Sequence, residues 1–189
     1  MHIHKHQQLF LISFLLLLCS NVLAVDDQYD LVISRSSQNL KIMDGKQIVK
    51  QFHIAYGKGG KGAKRILGDK KTPLGVYRII NFKGNSKFYY FMQLDYPNLL
   101  DAWYGYKNKI INATEFKHIT TAIKNNNTPP QNTKLGGYIG IHGLGNTTDQ
   151  KLAIHNEINW TQGCIAMTNE EINDLKKYVG IGTRVIINE

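Results

Sequence analysis

The sequence predicts a mostly β fold carrying about three helices. Short runs rich in β-branched and aromatic residues recur from Tyr29 to the C-terminus, punctuated by Gly and Asp-Gly turn signals. Apolar residues at helical spacing are confined to a few stretches in the second half. Two of these open on a capping-box pattern, in which the cap side chain and a Glu three residues on satisfy each other's backbone N–H groups.

Taken in order, YDLVISR (29–35) and QNLKIM (38–43) are β-rich runs, and Asp44-Gly45 marks a tight turn before KQIVKQFHIAY (46–56), giving a β-meander. GKGGKG (57–62) has the G-x-G-x-x-G spacing, but the residues after it have no apolar helical face and soon reach Pro73. A dinucleotide site needs a helix there, so the segment reads as a basic loop. Strands resume at GVYRIINF (75–82) and YYFMQLDY (89–96). A helix is expected from about Leu99 to Tyr106. A better one spans 113–125, where Asn112 and Glu115 form the box and Phe116, Ile119 and Ile123 share a face. NNNTPPQNTK (125–134) is loop, and GYIGIHG (137–143) is a strand ending at a histidine. Thr168 and Glu171 make the second box; Ile172, Leu175 and Tyr178 give the buried stripe, Gly180 is expected to stop the helix, and TRVIINE (183–189) is the closing strand.

Residues 1–24 read as a secretory signal peptide. A basic start is followed by an apolar run from Leu9 to Leu18, too short to span a bilayer core of about 30 Å, and Val22 and Ala24 suit the cleaving peptidase. Lipidation at Cys19 is disfavoured because Leu18, just before it, is not small. His2, His4 and His6 leave with the leader, so their alternation is not a metal tract. Residues 25–189 then form one domain with one core, secreted to a periplasm or cell envelope and without a stable membrane span. Loss of Lys5 takes the net charge from +9 to +8. A basic exported protein is drawn to anionic surfaces, a wall polymer among them, or merely kept soluble. Nucleic acid is a poor partner because the cations are scattered and the chain is exported.

With Cys19 removed, Cys164 is a lone thiol in an oxidising compartment. A cysteine attacks as thiolate and needs a base or a positive field beside it, whereas a lone Cys in general is more often a buried filler. His142 is the candidate base because it ends an apolar strand and precedes Gly143. His155 is the competitor; His53 and His118 read as structural. Gly163 allows close approach to the thiol, and the helix opening at Thr168 is expected to aim its positive end, and its N–H groups, at the site. A zinc site from His142, His155 and Cys164 lacks a close ligand spacing.

GDKKTPLGVY (68–77), IGIHG (139–143) and TQGCIAM (161–167) together resemble the L,D-transpeptidase catalytic domain, or YkuD, family, over about Tyr29 to Asn188. That resemblance implies a β-sandwich and a Cys nucleophile that cleaves the L,D bond of a peptidoglycan stem peptide, passing the acyl group to an amine or to water. It implies Cys164 as nucleophile, His142 as the residue that takes and returns its proton, and the Gly143 carbonyl as the group that orients His142. Thr161, Gln162 and Gly163 become binding positions, and no cofactor is implied. Gln162 stands where His or Lys is common, and Ala166 where Arg is common; Lys134, Arg65 and Arg184 are candidate replacements for the cation. YPNLLD (96–101), TKLGGYIGIHG (133–143) and NWTQGCIAMTNEE (159–171) also resemble the subgroup that includes an enzyme releasing lipoprotein from peptidoglycan, in which Ala after Gly-Cys-Ile is usual. Three readings stay open: transfer, hydrolysis as a carboxypeptidase or amidase with a wall-attached lipoprotein among its partners, and an inactive wall-binding module.

Overall fold

The computed structural model describes residues 28–189. The leader read at residues 1–24, with Cys19, lies outside the described residues. Strands β1 (Asp30–Ser34), β2 (Asn39–Asp44) and β3 (Gln47–His53) form the expected meander, with Gly45 in the left-handed conformation of the turn. Long strand β4 (Gly75–Ser86) and β5 (Tyr89–Leu94) follow, then helices α1 (Leu99–Lys107) and α2 (Ala113–Lys124). Strand β6 (Gly140–His142), helix α3 (Asp149–Glu157), short β7 (Ile165–Ala166), helix α4 (Asn169–Leu175) and β8 (Arg184–Asn188) complete the order.

The strands make one sheet in the order β3-β2-β1-β8-β4-β5-β6-β7. It folds at β4, whose residues 75–78 pair with β8 while its later residues pair with β5. Alternation along β1, β2 and β8 puts Leu31, Ile42 and Val185 inside, where they join Met92, Ile141 and Ile165 from the other arm in one cluster. Each such side chain removed from water is worth about 2 kcal/mol. The far ends of the sheet also meet: Ala55, just past β3, exchanges hydrogen bonds of 3.0 and 2.8 Å with Ala166. The mostly β sandwich expected from the sequence is thus present.

Both expected capping boxes form, at Asn112–Glu115 and Thr168–Glu171, and Asn98–Asp101 adds a third at α1. Ile119 is the buried residue of α2 and packs with Ala102, Ile111 and Leu135 in a second cluster, Phe116 and Ile123 flanking it. The structure departs from expectation in three places. Helix α3 was not anticipated because it has no apolar stripe, burying only His155. The strand expected over 137–143 shrinks to 140–142, since Tyr138 adopts φ +54° and breaks the extended run. Helix α4 ends at Leu175, and Gly182, with φ +98°, rather than Gly180, takes the left-handed turn before β8.

Arg35, just past β1, is wholly buried. Its guanidinium donates to the carbonyls of Gly60, Gly62 and Thr72 at 3.1, 3.0 and 2.6 Å and forks onto the Glu189 carboxylate at 3.0 Å. The basic loop after β3 is thereby tied to both chain ends of the described fold. Replacing Arg35 by Met strands these carbonyls, and chemical unfolding should register a loss of roughly 3 kcal/mol. Arg35→Lys should recover only part of it, because an ammonium cannot reproduce the planar fork.

Candidate active site

Cys164 lies one residue before β7, partly exposed at the end of a tight turn. Thr161 Oγ1 closes that turn, donating to the Cys164 carbonyl at 2.6 Å and accepting the Gly163 N–H at 3.1 Å. Gly163 has φ +132°, and a Cβ there would stand 2.8 Å from the Lys71 carbonyl, so a side chain is excluded on both counts. Of the three expected binding positions, Thr161 and Gly163 are buried within the turn and Gln162 is exposed. The thiol itself donates to the Tyr138 carbonyl at 3.6 Å.

Parallel pairing sets the nucleophile candidate beside the base candidate. Ile141 faces Ile165 and His142 faces Ala166, so continuing the register puts Cys164 opposite Gly140. Side chains alternate along strands, which sends Cys164 and His142 to the same face as diagonal neighbours. His142 Nδ1 lies 2.7 Å from the Gly143 carbonyl. A carbonyl only accepts, so Nδ1 carries the hydrogen and the neutral ring keeps its Nε2 lone pair free. Gly143 permits this packing: a Cβ would fall 2.6 Å from Asn169 Oδ1 and 2.9 Å from the Phe88 carbonyl. The Met167 N–H, bonded to the His142 carbonyl at 2.9 Å, locks the two strands together.

Aromatic rings surround the imidazole, with Phe88 at 4.3 Å, Trp160 at 6.0 Å and Phe91 at 6.4 Å between centroids. Burial therefore drives its pKa down to about 4, against the Gly143 hydrogen bond that favours the charged form. Burial likewise pushes the Cys164 thiol up to about 11, opposed by a Gly140 backbone hydrogen bond and by the charge of Lys64. At neutral pH the resting pair is thiol and neutral imidazole.

His155, the expected competitor, is fully buried on α3 against His53, with ring centroids 5.5 Å apart and no hydrogen bond to either of its ring nitrogens. It does not reach a site mouth. His118 is exposed on α2, as expected. At the start of α4 the Glu171 N–H bonds Thr168 Oγ1, the Thr168 N–H goes to the Glu171 carboxylate, and the Asn169 side chain brackets Gly145 through both its amide atoms. Among the described residues no three of His, Cys, Asp or Glu converge as metal ligands.

Ala166 is buried and its backbone is paired to Ala55 in both directions. Of the candidate cations, Arg184 is paired with Asp30 on the far arm, Arg65 stacks over Tyr104 at 3.8 Å, and Lys134 is exposed. The cation whose charge reaches the thiol is Lys64, which the sequence reading did not single out. It is 3% exposed and its ammonium is 2.9 Å from Asp69. Asp69 also accepts the N–H groups of Arg65, Ile66 and Lys71 at 2.7, 3.1 and 3.1 Å. Although burial opposes it, this set holds the carboxyl below its ordinary pKa. The cluster gives a structural meaning to the GDKKTP stretch, whose Lys71 carbonyl lies against Gly163.

Comparison with known proteins places the fold. Over a 74-residue stretch the chain is 30% identical to the putative L,D-transpeptidase YafK of Escherichia coli K12, covering 38% of this chain and 30% of that protein. The solved structure of the helical cell shape determining protein Pgp2 of Campylobacter jejuni superposes over 85% of this chain and 47% of its own, at 22% identity and a TM-score of 0.54. Bd1075 of Bdellovibrio bacteriovorus matches over the same shares at 18% identity and a TM-score of 0.52. The chain thus spans less than half the length of these relatives. The model of the L,D-transpeptidase catalytic domain, YkuD, matches residues 28–187, and the chain belongs to that family.

Proposed function

We propose that residues 25–189 form a single exported catalytic domain, released from a leader at 1–24, that cleaves the L,D bond of peptidoglycan stem peptides through a Cys164 thioester and passes the acyl group to an amine in the cell envelope. The observation that carries this reading is the tautomer of His142: with Nδ1–H held on the Gly143 carbonyl, Nε2 is a proton acceptor on the face that the register shares with Cys164. Membership of the L,D-transpeptidase catalytic domain family supports the reaction class.

In the proposed path the thiol leaves the Tyr138 carbonyl, gives its proton to His142 Nε2, and attacks the carbonyl carbon on the L side of the scissile bond. The resulting C–S bond forms as the C–N bond breaks, and the imidazolium returns the proton to the leaving amine. An acceptor amine then attacks the thioester, His142 takes its proton, and the sulfur departs to recover the thiol. Lys64 favours the thiolate that develops between these states. No metal or redox group enters these steps.

Mass spectrometry of purified stem tetrapeptide incubated with the protein tests the reading. A transient acyl-protein adduct on Cys164, with exchange onto an added amine, is expected. Water incorporation alone, even with amine in excess, would assign hydrolysis instead, and an unchanged peptide without adduct would leave the wall-binding module. Cys164→Ser and His142→Ala should each reduce turnover by several powers of ten with circular dichroism unchanged, because nucleophile and base act as a unit.

The pH profile follows from the burial of His142. Only the neutral ring accepts a proton, and its pKa is lowered to about 4, so kcat/KM should hold through mildly acidic pH and fall only as pH drops toward about 4. An acid limb centred near the ordinary histidine value of about 6.5 would contradict this role for a buried His142.

A further inference from the structure

A cleft of about 720 Å³ opens where α1 ends and α2 begins, with Tyr106, Lys107, Lys109, Ile110, Glu115 and Lys134 in its lining. Three ammonium groups thus face one carboxylate. That carboxylate is already engaged, since Glu115 accepts the Asn112 N–H at 2.9 Å in the cap of α2. The Lys107 ammonium rests 4.9 Å from the Trp103 ring centroid. Among the described residues, Lys109 and Lys134 have neither an ion pair nor a side-chain hydrogen bond. The cleft is therefore a basic pocket whose positive charge exceeds the one carboxylate in its lining.

Its position relative to the thiol is bounded by the chain itself. Lys134 precedes by four residues Tyr138, whose carbonyl holds the Cys164 thiol at 3.6 Å. Four residues span at most about 14 Å when fully extended, so the cleft wall and the thiol lie within one short peptide's length of each other. The Lys134 carbonyl accepts the Leu67 N–H at 2.7 Å, and the surface along this path carries the exposed side chains of Leu67 and Tyr138, 68% and 65% accessible. An apolar track bordered by cations at its far end fits a short peptide that bears a free carboxylate a few residues from its reacting carbonyl.

We infer that this cleft is an acyl-donor subsite that takes a free side carboxylate of the stem peptide, on the side of the scissile bond that stays with the enzyme. The inference rests on the function proposed above and adds to it a second anchoring point, remote from the thiol. In this placement the acyl side of the donor lies toward Lys134 and its leaving side away from it. The grip is electrostatic and exposed, so it weakens as salt rises.

The test is equilibrium binding to the Cys164→Ala protein, which cannot turn the peptide over. Two tetrapeptides are titrated, one with its side carboxylate free and one with that group amidated. The native lysines should favour the free carboxylate, and the double variant Lys109→Glu with Lys134→Glu should weaken that peptide about tenfold while binding the amidated one as before. Circular dichroism checks that the double variant is folded, as expected for two surface positions. Equal weakening of both peptides, unchanged binding of both, or no binding of either peptide to the Cys164→Ala protein overturns the subsite. Failure of the reaction is read separately: if the Cys164-containing protein leaves the peptide intact and the lysines still discriminate, the cleft stands as a peptide-carboxylate site while the transpeptidase reading, and with it the acyl-donor role, falls.

Discussion

One buried guanidinium underlies the arrangement of the site. Arg35 collects three carbonyls of the loop that runs from Gly57 to Thr72 and sets them on the sheet. Within that loop, Thr72 Oγ1 receives the Gly57 N–H at 2.8 Å, Gly57 bridges to Thr161, and the Lys71 carbonyl abuts Gly163. Thr161 in turn closes the turn that ends at Cys164. The path from Arg35 to the thiol is thus an unbroken sequence of hydrogen bonds and backbone contacts. A loop of six cations would repel itself if left free; here Asp69 pairs with Lys64 and the Arg65 guanidinium stacks on Tyr104, while Lys58, Lys61 and Lys70 are exposed to solvent.

The same burial that orders the site sets its chemistry. Rings around His142 and the packed turn at Cys164 both disfavour charge, which leaves a neutral pair at rest. A pre-formed thiolate would be reactive toward any electrophile or oxidant in its surroundings. A thiol hydrogen-bonded to a backbone carbonyl is quieter, and it gains reactivity only when a substrate brings donors and dipoles to the developing charge. Lys64 lies close enough to favour that charge, yet is restrained by Asp69 and the Ile66 carbonyl.

The parts of this architecture that local rules govern were readable from the residues alone. Alternating strands, the Asp44-Gly45 turn and the boxes at Asn112 and Thr168 depend on neighbours within a few positions, and each appears as expected. The strand-end histidine and the Gly-Cys turn carried signals of their own, whereas the meeting of their segments across β6 and β7 was implied by the family resemblance. Helix α3 escaped because its sequence has no apolar stripe, although Thr148 followed by Asp149 was a weak cue to its start. Arg35, Lys64 and the rings of Phe88 and Trp160 escaped for another reason. Arg35 and Glu189 are 154 residues apart, and although Lys64 finds Asp69 close by in the chain, the thiol that its charge reaches is remote in sequence, and no local pattern encodes such meetings. Ala166 shows the converse: a position read through an absent Arg proves to be a buried backbone joint.

That joint has a consequence for how a peptide can be recognised. The segment bearing Cys164 has β6 on one side, while Ala55 and Gly57 occupy the other. Among the described residues neither flank presents a free row of N–H and C=O groups, so an incoming chain cannot extend the sheet beside the nucleophile in the way that strand-adding peptide binders recruit their ligands. Selectivity at this thiol must then be written in side chains and isolated dipoles rather than in a backbone ladder. Such a code can read charge and stereochemistry one residue at a time, and it suits the substrate proposed above, whose alternating L and D centres would make a poor strand.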